Sequence, residues 1–312
     1  MLRGKLRGRV SKSGNVSTGL DEGVEELVVA AEPQATAPGA KPRDGFAPSA
    51  RDAPKSVSLR HEVEGEGETV LLLHPVGLDL TWCGPLAERL RPHFRVLRVD
   101  LRGHGGSPVP PGPWRIEDLA ADVHALLGAT RLGPAHVVGL LLGGMVAQVL
   151  AIDHPDDVRS LVLSGTACTF APSVREALAA RGAAAEDCGM QAVVRPTLER
   201  WFTPGFLGSE LVERCRQRLL SDNVAGWAAT WRAISVFDAL PRLREISVPS
   251  LVAAGSVDTS TPPEVARTIA EAIPGATLHT MPGAPHMAPF ERPDLFDPLV
   301  LTFLRGLKTR PL

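Results

Sequence analysis

The sequence predicts an α/β protein built on a mainly parallel sheet, with helices on both faces and a helical insertion late in the chain. From Val57 onward, short apolar runs alternate with segments whose apolar residues recur at helical spacing, and that alternation produces parallel strands joined by crossover helices. Residues 171–239 show helical patterning only, after which strands and helices alternate again to the end.

Residues 1–55 are rich in Gly, Ala, Pro, Ser and charge, and hold too few apolar side chains to bury a core, so they read as a flexible tail. The core spans residues 56–170 and 240–312. VSLRHEV (57–63) alternates like an edge strand, while ETVLLLH (68–74) is a continuous apolar run suited to a strand covered on both faces. PLAERL (85–90) is a helix and FRVLRVD (94–100) the next strand. Ile116, Leu119, Val123, Leu126 and Leu127 recur at helical spacing, AHVVGL (135–140) is again a strand, and GGMVAQVLAIDH (143–154) a helix. VRSLVLSG (158–165) closes the first half. The insertion at 171–239 carries Trp201, Trp227 and Trp231 and is placed as a lid over the carboxyl edge of the sheet, where open α/β sheets bind ligands. PSLVAAG (249–255), PPEVARTIAEAI (262–273), ATLHTM (276–281) and a helix ending in LVLTFLRGL (299–307) complete the pattern.

Composition narrows the function. The chain has 312 residues, 44% hydrophobic and 22% charged, enough for one large core. A net charge of −2, with basic residues scattered outside the first dozen positions, gives no general attraction to nucleic acid or to a membrane surface. Cys83, Cys168, Cys188 and Cys215 form no CxxC pair and no metal-ligand spacing, which suits a reducing cytoplasm. No apolar run reaches the roughly 18 residues of a membrane span, and the basic start is not followed by a secretory apolar segment. A soluble cytoplasmic protein is expected. There is no tyrosine, so mechanisms needing a phenolic proton donor are excluded. GLLLGGM lacks the Lys and Ser/Thr of a phosphate-binding loop, and no GxGxxG follows a strand. The partner expected is therefore a small-molecule substrate, with no cofactor, no metal and an oligomeric state left open.

Five segments in order carry the chemistry: LLLHPVGLDLTW, VDLRGHGGS, the bend Gly139-Leu-Leu-Leu-Gly143, GSVDTSTPP and GAPHMAPFERP. Together they resemble the α/β-hydrolase family over about residues 57–306. Within it the chain is similar to 3-oxoadipate enol-lactonases, because the likeness extends into the lid at GMQAVVRPTLERWFTP and GWAATWRAI. The resemblance implies the α/β-hydrolase fold, with the nucleophile on a tight strand-to-helix elbow and the acid and histidine following in chain order. It assigns Asp258 as the acid, His286 as the base, and the N–H groups of Val76 and Leu142 as oxyanion donors; Pro75 has no N–H to offer.

The departure is Leu141, which stands at the nucleophile position without a heteroatom. Acyl transfer through serine is excluded as the chain is written, and dehalogenase and epoxide-hydrolase chemistry lacks its elbow aspartate. Ser164, Thr166 and Cys83 lie near the same sheet edge but read as loop hydroxyls and a small buried thiol, since none stands on an elbow. His74, Trp82, Arg200, Trp201 and Trp227 are the candidate substrate-binding residues, Arg200 as a carboxylate clamp; His104 reads as a turn-ordering residue. Two functions follow. One is an enzyme acting on a small lactone, ester or related carbonyl compound, or moving a proton, through a His–Asp dyad without a covalent intermediate. The other is an inactive hydrolase relative that binds a small molecule or a partner protein. The surviving dyad favours the enzyme.

Overall fold

The structure, a computed structural model, describes residues 56–308; the tail expected over 1–55 lies outside the described residues. Seven strands form one sheet: β1 (His61–Glu64), β2 (Thr69–Leu73), β3 (Arg95–Val99), β4 (Ala135–Leu140), β5 (Val158–Ser164), β6 (Ser250–Gly255) and β7 (Thr277–Met281). Their order is β1-β3-β2-β4-β5-β6-β7. β1 runs antiparallel to β3, and every other pairing is parallel. β2, β4 and β6 are buried along their whole length, which is why they read as unbroken apolar runs and not as alternating ones.

β1 is shorter than its sequence pattern. Pairing begins only at His61, opposite Val99, because the amides before it find side chains. Val57 N–H donates to Asp122 Oδ1 at 2.8 Å and Arg60 N–H to Ser107 Oγ at 2.9 Å, so partners from distant segments replace the ladder there.

Between the strands run α1 (Gly84–Leu90), α2 (Ile116–Thr130) and α3 (Leu142–Asp153). Ile116, Leu119, Val123, Leu126 and Leu127 of α2 are all buried, as their spacing requires. α3 is buried from Leu142 to Ile152; a helix enclosed on all sides needs no polar face, and its sequence shows none. α8 (Pro263–Ala272), α9 (Ala288–Glu291) and α10 (Pro293–Lys308) flank the later strands. No described helix is long and apolar enough to cross a membrane.

Between β5 and β6 the chain forms α4 (Pro172–Cys188), α5 (Met190–Trp201), α6 (Glu210–Leu220) and α7 (Val224–Ser235), with one isolated bridge, Thr169 to Asp238, at the base. Local chemistry sets these boundaries. Ser209 accepts from Val212 N–H to cap α6, and Asn223 accepts from Gly226 N–H to cap α7. α4 and α7 approach closely: a Cβ on Gly182 would stand 2.8 Å from the carbonyl oxygen of Ala228.

Candidate active site

β4 passes into α3 through Leu141, whose φ of 53° and ψ of −108° lie outside the regions L residues prefer. Holding a branched side chain there costs on the order of 1–3 kcal/mol. The surroundings enforce it. Leu141 N–H donates to Ser164 O on β5 at 2.9 Å. A Cβ on Gly139 would come within 2.5 Å of Gly143 O, and one on Gly143 within 2.2 Å of Leu73 O, so strand and helix meet too closely for any side chain. Leu141 is 4% exposed and lines the cavity described below.

Asp258 follows β6 and His286 follows β7. Their loops touch because β6 ends in Gly255, where a Cβ would stand 2.2 Å from Ala284 O. Asp258 uses both oxygens. Oδ1 accepts from Ser260 N–H and Thr261 N–H, each at 2.8 Å, while Oδ2 accepts from Thr261 Oγ1 at 2.8 Å and from His286 Nδ1 at 2.9 Å. Burial pushes the Asp258 carboxyl upward, but the facing imidazole and these hydrogen bonds outweigh it and hold the group below its ordinary value. With Nδ1–H given to the carboxylate, the Nε2 lone pair of His286 is the one left for chemistry. Thr261 Oγ1 also lies 3.2 Å from Nδ1, so the hydroxyl braces both members of the pair.

His286 opens on a cavity of about 320 Å³ between the start of α3 and the insertion. Val76, Leu141 and Leu142 line it, together with Arg181, Arg200, Trp201 and Trp231 from the insertion. Neither Val76 N–H nor Leu142 N–H has an acceptor among the described residues, and Leu142 is the first residue of α3, where a helix leaves its amides unpaired. Met287 N–H donates to Trp201 O at 3.0 Å and so ties the histidine loop to the end of α5. The cavity lining holds no cysteine or carboxylate, and its single imidazole is His286, so it offers no metal-ligand set.

Two arginines face this space without an ion-pair partner among the described residues. Burial, together with the neighbouring Arg200, pushes the Arg181 guanidinium down to about 10. Burial lowers Arg200 in the same sense. Arg181 lies over the Trp231 ring, 4.6 Å from its centroid.

Of the substrate-binding candidates, Arg200 and Trp201 line the cavity, while His74, Trp82 and Trp227 lie outside its lining. His74 is fully buried with both ring nitrogens engaged: Nδ1 donates to Pro75 O at 2.7 Å and Nε2 accepts from Leu101 N–H at 3.0 Å. Burial and the adjacent His104 push it down to about 3, so it is a neutral tie between two loops. Trp82 packs edge-on against Phe290, and the Arg214 guanidinium lies 5.6 Å from its ring centroid. Trp227 is wholly buried, rests on Gly77 next to Val76, and donates from Nε1 to Arg181 O at 3.1 Å. Ser164, Thr166 and Cys83 are buried outside the cavity lining, and burial pushes the Cys83 thiol up to about 12.

Sequence reasoning missed Arg181 and Thr261 as cavity residues. Arg181 had one readable signal, the mid-helix glycine next to it, which marks where α4 and α7 come together.

Comparison with known proteins agrees with this architecture. The profile described as "Alpha/beta hydrolase family" matches residues 70–298. The chain is 30% identical to 3-oxoadipate enol-lactonase 2 of Acinetobacter baylyi over 78% of its own length and 91% of that protein. It is 34% identical to a pimeloyl-(acyl-carrier protein) methyl ester esterase of Chromobacterium violaceum, over 75% of this chain and 92% of that one. Among solved structures, the enol-lactonase from Burkholderia xenovorans superposes with a TM-score of 0.75 at 33% identity, covering 80% of this chain and 97% of that one.

Proposed function

The chain belongs to the alpha/beta hydrolase family, and on that premise we propose that it acts on a small lactone, ester or related carbonyl compound bearing a carboxylate. His286, held by Asp258, is the general base; no serine takes part. One observation carries the reading: the Asp258–His286 pair at 2.9 Å opens on a cavity that the side chain of Leu141 also lines. A buried carboxylate that orients an imidazole whose other nitrogen opens on a cavity is what general-base chemistry requires.

In this mechanism Nε2 of His286 takes a proton from water as the water oxygen attacks the substrate carbonyl. Asp258 keeps Nδ1–H in place and stabilises the imidazolium that forms. The tetrahedral oxyanion is received by Val76 N–H and Leu142 N–H. Collapse then expels the ring or ester oxygen, which takes the proton back from His286. General acid–base catalysis supplies about 10²–10⁴ in rate and an oxyanion donor about 10²–10³, enough for a lactone or ester with a good leaving group. The carboxylate is inferred from Arg181 and Arg200, two half-buried like charges that an anionic ligand would relieve.

A second reading, a hydrolase relative that binds such a ligand without turning it over, draws on the same Leu141, whose apolar body occupies the place of a nucleophile. Rapid mixing separates covalent from non-covalent chemistry. The protein as it stands should hydrolyse carboxylated lactones without a burst and leave a fluorophosphonate unreacted, whereas Leu141→Ser should acquire both burst and adduct. A burst or adduct in the parent protein contradicts the mechanism. Saturable binding with no turnover of any lactone or ester supports the second reading.

A further inference from the structure

A second cluster lies at the opposite end of the sheet, where the strands begin. His124 projects from the latter part of α2, His154 is the C-cap of α3, and Asp157 stands one residue before β5. The cavity, by contrast, sits among loops that follow the strands. The imidazoles of His124 and His154 stack face to face, with ring centroids 3.8 Å apart and planes within 6°. His124 Nδ1 and Asp157 Oδ2 approach to 2.6 Å. One donor atom from each of the three residues falls within 4.8 Å of the others.

We propose that His124, His154 and Asp157 form a surface site for a late first-row divalent cation, zinc above all. The donor set decides the class. Two imidazole nitrogens and one carboxylate oxygen suit Zn²⁺, Co²⁺, Ni²⁺ or Cu²⁺ better than Mg²⁺ or Ca²⁺, which prefer oxygen throughout. The spacing suits it too. A tetrahedral ion with bonds of about 2.0–2.2 Å needs donors about 3.3 Å apart, so small side-chain rotations bring all three into range. Neither ring nitrogen of His154 has a hydrogen-bond partner among the described residues, which leaves its lone pair available. The carboxyl end of α3 adds negative potential. Asp153 and Asp156 stand alongside, Asp153 being bonded to Arg242 at 2.7 Å, and the exposed side of the cluster leaves the remaining position to water. The ion would pin α2 to the junction of α3 and β5. Its role is structural, and it is independent of the chemistry at His286.

The test is calorimetric titration of the untagged, chelator-stripped full chain with Zn²⁺ alone, paired with thermal unfolding. The site predicts one equivalent bound per chain and an unfolding temperature that rises with Zn²⁺ concentration. His124→Ala and His154→Ala should each weaken binding by at least tenfold and abolish the thermal shift, while both proteins remain as stable as the parent without metal. Co²⁺ should replace Zn²⁺ and show intense visible bands of low coordination in the parent only. Absence of a saturable equivalent, or binding retained when both histidines are replaced, overturns the proposal; the second outcome assigns the ion to other surface histidines.

Discussion

The elbow and the Asp258–His286 pair border one cavity, yet they are kept in shape in different ways. At the elbow the backbone does everything: two glycines without room for a Cβ and one bond from Leu141 N–H to Ser164 O hold a positive φ around a side chain with no reactive atom. At the pair a side chain is held by its surroundings: two backbone amides and the Thr261 hydroxyl fix the Asp258 carboxylate, which accepts its fourth hydrogen bond from one imidazole nitrogen. A strained turn can thus outlast its nucleophile, because it also lays out the start of α3 and the amide of Leu142. The Asp258 carboxylate also shapes its own turn through the Ser260 and Thr261 amides, but its bond to His286 Nδ1 serves the imidazole.

The predictions probe that contrast in descending order of effect. Asp258→Asn should lower kcat on any lactone or ester turned over by about 10²–10⁴, with KM little changed, because the amide no longer selects the Nδ1–H tautomer. An unchanged kcat would move the chemistry away from the pair. Trp227→Ala should cost about 3–5 kcal/mol in denaturant unfolding by emptying the space over Gly77, an effect on the scaffold behind the oxyanion segment and not on ligand contact. Arg181→Gln should raise KM for carboxylated substrates by about 10–100-fold and leave neutral ester analogues unaffected; equal loss on both would remove the anion from the account.

Acid should act on the tied loops. His74 is held at about 3 against an ordinary 6.5, so its fold favours the neutral ring. Its contribution is complete above about 6.5 and is lost as pH falls from there toward 3. Asp258, also depressed, contributes above the ordinary carboxylate range and loses that only as pH falls through its own lower value. Unfolding free energy should decline from pH 6.5 downward, and His74→Asn should flatten that slope. Smallest of all is Leu141→Gly, where relief of the positive φ offsets lost burial and stability changes by under about 1 kcal/mol. A much larger loss would show the leucine to be a packing element first.

Much of this was legible in the sequence because it depends on local rules. Strand runs and the spacing of Ile116 through Leu127 follow from patterns along the chain, while the elbow frame and the pairing of Asp258 with His286 were implied by the resemblance to the α/β-hydrolase family. What escaped depends on which helices meet in space. Trp227 and Trp231 lie one turn apart on α7, yet only Trp231 reaches the cavity, because the other is turned onto Gly77. Arg181 becomes a cavity residue only through the packing of α4 on α7, and β1 loses its first residues to side chains of Asp122 and Ser107 that no periodicity announces.

The central claim is that the reaction runs through His286 without help from residue 141, and one rate ratio tests it most directly. The parent protein and His286→Ala are assayed side by side on the same carboxylated lactone under single-turnover conditions. The account predicts measurable hydrolysis by the parent and a fall of at least about 10² in the variant, with ligand affinity preserved. Equal rates in the two proteins would contradict it.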